Sequence, residues 1–181
     1  MLKLYNTATR RKELFRPLVE GKVGIYTCGP TVHDLAHIGL LRRLLTVDVL
    51  KRMLRSEGYE VRHVVNVTDV DDKTIEGSAR AGVRLEELTG RFADAFFEHA
   101  DTLRILPADV WPRATAHVDD MVAMTRRLVE KGVAYEMQRS VYFDISKFPG
   151  YGKLSRVDPA AIRAGVTVDL ARDAQNHPLI V

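Results

Sequence analysis

The chain has 181 residues, 46% hydrophobic and 28% charged, with a net charge of +3. That composition suits one soluble domain with a small insertion and argues against disorder. The single cysteine excludes an internal disulfide and any zinc site built from several thiolates of this chain, and the mildly basic balance permits a nucleotide or nucleic acid partner without requiring one.

In chain order, Leu2 to Tyr5 reads as a short strand. The opening residues carry no apolar signal-peptide core and no run approaches about 18 apolar residues, so the expectation is a cytoplasmic protein with no membrane segment. Arg10, Arg11, Lys12, Arg16 and Lys22 form a basic stretch, either a solvated face or a contact for phosphate or RNA. Val23 to Thr27 reads as a buried strand, which Cys28-Gly29-Pro30 turns into a loop carrying His33, Asp34 and His37. A helix is expected from Gly39 to about Ser56, with Leu41, Leu44, Leu45, Val49 and Met53 inward, Arg42, Arg43, Lys51, Arg52 and Arg55 on other faces, and Gly58 as its stop. Val61 to Thr68 is β-branched and short, hence a second buried strand. Strand, helix, strand in this spacing is a βαβ unit with a parallel sheet, and ligands bind at the carboxyl ends of such strands. Cys28 and Thr68 stand at those two ends. The helix start between them is an anion site in waiting, because its first N–H groups lack intrahelical acceptors.

Asp69, Asp71 and Asp72 follow, leading a helix to about Arg80 with a break at Gly82. Their carboxylates could hold Mg²⁺ or a ribose hydroxyl; equally, Asp71 or Asp72 could cap the helix. A longer helix runs from about Leu85 to Leu103, with Leu85, Leu88, Phe92, Phe96 and Leu103 on one stripe. Pro107 and Pro112 bracket an irregular segment around Trp111, and a further helix spans about Ala114 to Lys131 on Val118, Met121, Thr125 and Leu128, stopped by Gly132. Met121, Met124, Phe92 and Phe96 are expected in the core. A hairpin near Val133–Glu136 and Val141–Asp144 and a Gly- and Pro-punctuated tail from Phe148 complete the chain.

Two groups are ambiguous from the residues alone. His37-Ile38-Gly39 offers imidazole donors and close backbone approach at a helix start, or simply a cap. Cys28 reads as a metal ligand, a nucleophile or a packing residue, and its spacing to His33 and His37 is no familiar chelate.

Several segments, in order, resemble the amino-terminal half of cysteinyl-tRNA synthetases, a class I aminoacyl-tRNA synthetase family. They are Leu4-Tyr5-Asn6-Thr7, Tyr26 to Val32 with Asp34, His37-Ile38-Gly39 with Arg42, and Asn66 to Lys73. Pro112 to Thr115 with His117, and Tyr151 to Ser155, complete the series. The cysteine ligase of mycothiol synthesis shares most of them. The resemblance implies an α/β, Rossmann-like nucleotide-binding half over residues 1–90 and a helical insertion with an irregular tail over 91–181. It implies ATP, with Mg²⁺, as cosubstrate and cysteine or an analogue as the amino acid to be adenylated, with tRNA as a further partner. On the family pattern His37 is catalytic, and His37, Gly39 and Arg42 contact the nucleotide. Cys28, Gly29, Thr31, His33 and Thr68 line the amino-acid pocket. Cys28 would be one ligand of a zinc ion gripping the substrate thiol, the others having to come from a partner.

The chain departs from the pattern in its HIGH motif, where Leu40 replaces the second histidine, and at His33, where the family usually has tyrosine. The residues to Val181 do not include the family's other zinc ligands, its KMSKS loop or its anticodon-binding domain. Three readings follow: an adenylate-forming enzyme with an altered substrate or a second polypeptide, a non-catalytic binding module, or a synthetase fold recruited to specialised metabolism. A truncated sheet would also expose an edge or apolar face, so self-association or a partner chain is expected.

Overall fold

The computed structural model describes residues 2–137 and 140–156. These form two compact units, one of Arg16–Val118 and one of residues 2–15 with the described residues from 119 onward.

The first unit is built on two parallel strands, β3 (Lys22–Thr27) and β4 (Glu60–Val65), joined through helix α1 (Ile38–Ser56). Val23 pairs with Val61 and Thr27 with Val65. Alternation buries Val61, His63 and Val65 of β4 on one face, as period-2 geometry dictates. The expected strand to Thr68 is shorter, because beyond Val65 its backbone changes partners. The Val67 N–H donates to Pro112 O (2.8 Å) and the Thr68 N–H to Pro30 O (2.9 Å). Val64 bridges Val110 and Val67 bridges Arg113, so the irregular stretch around Trp111 runs as a third parallel segment beside β4.

Helix α1 ends as expected just before Gly58, whose φ of +88° favours glycine. Its buried face differs from the apolar stripe. Leu44, Asp48, Lys51 and Leu54 are buried, whereas Val49 is 65% exposed and Leu45 also lies outward. Lys51 is 1% exposed because its Nζ donates to Pro107 O (2.8 Å) and Asp109 Oδ2 (3.2 Å). Asp48 accepts from Arg52 Nε (2.7 Å) and the Leu106 N–H (2.9 Å). Paired and hydrogen-bonded in this way, buried charge is tolerable.

Helix α2 (Asp72–Ala81) opens on a capping box between Asp71 and Thr74 and closes at Gly82. Helix α3 (Leu85–Thr102) buries Leu88, Thr89, Ala93 and Phe96. Phe96 and Phe97 meet Trp111 edge to face, with centroids 5.8 and 5.0 Å apart. The core comprises Val32, Val67 and Ala93 on one side and Leu44, Val65 and Phe96 on the other.

In the second unit the basic stretch is partly a strand, β2 (Arg11–Leu14), antiparallel to β1 (Lys3–Asn6), with its arginines and lysine exposed. Where one helix is expected from Ala114, Ala114–His117 at the end of the first unit form a 3₁₀ turn, and α4 covers Val118–Glu130. Met121 and Met124 are not in the core: they are 47% and 66% exposed, since α4 buries no residue among those described. The expected hairpin is β5 (Ala134–Met137) with β6 (Ser140–Phe143). Of the tail, residues 148–156 form turns, and the rest lies outside the described residues.

Candidate active site

The site begins where β3 ends. The Gly29 N–H donates to Asn66 Oδ1 (2.9 Å), and a Cβ on Gly29 would sit 1.5 Å from the Asn66 carbonyl oxygen. The Thr68 N–H donates to Pro30 O, and the Val32 N–H donates back to Thr68 O (3.1 Å). The two strand ends are thereby laced together, with Thr31 bridged to Thr68 and Val32 1% exposed as the anchor.

The loop then presents two histidines whose Nδ1 atoms play opposite hydrogen-bonding roles. His33 Nδ1 lies 3.0 Å from Thr31 O, a pure acceptor, so Nδ1 carries a proton, and in the neutral ring Nε2 offers a lone pair. His37 is the N-cap of α1, and its Nδ1 accepts the Gly39 N–H (3.1 Å), which leaves the proton on Nε2 as an outward donor. Both assignments follow from the bonding partners. The first turn of α1 holds no acidic residue, so its positive dipole end is not neutralised by the helix itself.

A cleft of about 460 Å³ opens against this loop, lined by Gly29, Thr31, His33, Asp34, His37 and Gly39, with Leu40, Arg43 and Lys73 beyond them and Phe92 and Phe96 contributing an apolar wall. Leu40 packs against the core cluster of Leu44, Val65 and Phe96. Among the residues expected at the site, Gly29, Thr31, His33, His37 and Gly39 are thus brought together. Cys28 is exposed and outside that lining, as is Arg42, while Thr68 stands half-buried behind Thr31.

The cleft's cations, Arg43 and Lys73, were not singled out from the sequence. Arg43 lies four residues beyond Gly39, the spacing that returns a side chain to the same helix face, and its guanidinium donates to the Cys28 carbonyl. The acidic group is largely committed elsewhere. Asp69 is 3% exposed and accepts from the Thr115 N–H (2.9 Å) and Oγ1 (2.7 Å), with Arg113 at 3.7 Å. Asp71 caps α2. Among the described residues no three His, Cys, Asp or Glu side chains converge, so these residues alone do not fit a zinc ion, and no step through zinc is derived.

Solved structures share this fold. Mycobacterium tuberculosis methionyl-tRNA synthetase, in complex with methionyl-adenylate, aligns over 63% of this chain and 23% of its own at TM-score 0.57 and 24% identity. A LeuRS from Agrobacterium radiobacter, in a ternary complex with tRNA and LeuAMS, covers 66% of this chain and 16% of its own at TM-score 0.56 and 21% identity. A parallel strand pair whose crossover helix opens on His37-Ile38-Gly39 defines the Rossmann-like fold of class I aminoacyl-tRNA synthetases. Within that class, residues 14–178 match the family described as tRNA synthetases class I (C) catalytic domain, and the chain belongs to this family.

Among relatives, the cysteine–tRNA ligases of Methanosarcina mazei and Pyrococcus furiosus are 48% and 44% identical, over 98% and 97% of this chain. That of Chlamydia abortus is 52% identical over 86%. The chain spans 38%, 37% and 33% of their respective lengths.

Proposed function

We propose that this chain supplies the nucleotide and amino-acid end of a cysteinyl-adenylate-forming site. The cysteine carboxylate attacks the α-phosphorus of ATP, the bond to the bridging oxygen breaks, and pyrophosphate leaves. The observation that carries this reading is the cleft lined by His37, Gly39, Arg43 and Lys73 at the start of α1, whose first turn carries no acidic residue. Fixed donors and cations of this kind stabilise charge developing on phosphate oxygens. Gly29, Thr31 and Thr68 form the amino-acid end, with Cys28 beside it, and His33 brings an acceptor where a neutral or protonated partner would bind. The remaining groups of the site correspond, in this reading, to the share of the relatives that lies outside the match. Transfer to tRNA, and a cytoplasmic setting, belong to the same proposal.

Leu40 favours a second reading, a nucleotide-binding module without turnover. Its side chain packs into the core and has no donor for a phosphate. One lost donor of this type costs on the order of a hundredfold in rate.

ATP–pyrophosphate exchange over a panel of amino acids decides between the two. Cysteine-dependent exchange is expected, and Leu40→His should raise it by on the order of tenfold or more. No exchange with any amino acid, with or without added partner chains, would overturn the enzymatic reading; ATP binding by calorimetry would then establish the binding module.

A further inference from the structure

Asn66 does not itself line the cleft, yet its side chain joins three groups at the strand ends. Its Oδ1 accepts from the Gly29 N–H (2.9 Å) and from the Tyr26 hydroxyl (3.2 Å), and its Nδ2 donates to Thr68 Oγ1 (3.0 Å). The orientation of the amide is not arbitrary. Gly29 N–H can only donate, so it must face the amide oxygen, and the NH₂ group is left for Thr68. A threonine hydroxyl has one hydrogen and two lone pairs. With a lone pair engaged by Asn66, the hydroxyl hydrogen is released for an acceptor elsewhere. Thr68 is half-buried and bridged to Thr31, which lines the cleft.

We propose that Asn66 is a positioning residue that turns the Thr68 hydroxyl into a donor toward the bound amino-acid moiety. This rests on the adenylate-site reading above. The Asn66 amide holds the proton direction, and Thr68 delivers the hydrogen bond to an acceptor atom of the ligand. Aspartate at 66 would have nearly the same shape and still accept from Gly29 and Tyr26. It has no hydrogen for Thr68 Oγ1, so the hydroxyl would turn inward to donate to the carboxylate, and the ligand would face a lone pair instead of a donor.

The test is calorimetric binding of a non-hydrolysable cysteinyl-sulfamoyl adenosine to the wild type, Asn66→Asp, Thr68→Val and the double variant, with thermal unfolding recorded for each. Each single variant should bind about tenfold or more weakly. The double variant should be no weaker than the weaker single, since both remove the same hydrogen bond. A purely structural role, or simple repulsion by the new carboxylate, gives losses that multiply in the double variant and overturns the proposal; so does unchanged affinity in Asn66→Asp. If Asn66→Asp does not fold, Asn66→Ala enters the same cycle with the same expected non-additivity. Wild type that binds neither ATP nor the analogue overturns the adenylate-site reading and this proposal together, whereas a binding wild type with multiplying losses overturns this proposal alone.

Discussion

Gly29 is held by a single close approach. Its φ is not in the left-handed region, so flexibility is not what the position demands; the Asn66 carbonyl oxygen, 1.5 Å from where a Cβ would stand, is. Backbone cannot swing away as a side-chain tip can. Gly29→Ala should therefore lower stability by about 3 kcal/mol or more in urea unfolding, through forced separation of the strand ends. Gly24→Ala is the control, since a Cβ there meets nothing within 4 Å. A Gly29→Ala midpoint no lower than that of Gly24→Ala would refute the argument. At this scale the sequence reads well where the cause is local. The break at Cys28-Gly29-Pro30 and the cap before Thr74 follow from neighbouring residues. The reason for Gly29 lies at Asn66, 37 positions on, and no local pattern points there.

For helix α1 the apolar spacing identified the element and its end but not its inward face. Leu45 and Val49 are apolar and outward, while Asp48 and Lys51 are charged and buried, because their partners lie on the distant 104–109 segment. That segment ties α1 to β4 through Asp109, whose Oδ2 also accepts the His63 N–H (2.6 Å). This bond first, aided by Lys51 and Arg55 against the effect of burial, holds the Asp109 carboxyl below its ordinary range. His63 is 4% exposed, its Nε2 lies 2.9 Å from Thr27 Oγ1, and its Nδ1 is buried without a partner among the described residues. Burial, and secondarily the Lys51 ammonium, push its imidazole below the usual value, with Asp109 opposing. Unfolded, this histidine takes up a proton near pH 6.5 or so; folded, it does so only at lower pH. The unfolded state thus binds more protons as pH falls below that value, and stability drops, by at most about 1.4 kcal/mol per pH unit for one group. Urea unfolding at pH 7.5 and 5.5 should show a smaller loss for His63→Gln than for the wild type. An identical loss in both proteins would contradict this assignment.

On the scale of the molecule, the ordered motifs made the family legible, and those around Gly29 and Asn66 to Thr68 interlock where the ends of β3 and β4 meet. The third parallel segment at 110–113 was not legible, since its prolines and tryptophan carry no strand pattern and its order comes from the backbone of β4. Nor does any described strand pair with the other edge of β3. Tyr26 on that strand is 65% exposed, and Leu35 and Ile38, in the loop and at the helix start, are 58% and 85% exposed. An unpaired edge and exposed apolar side chains both favour cover by a second chain. Alone, the chain should self-associate, with a sedimentation coefficient that rises with concentration, and Leu35→Lys should shift it toward monomer without changing the thermal midpoint by more than a few degrees. A wild type that sediments as one monomeric species at every concentration, and binds no added chain, would show that this edge needs no cover.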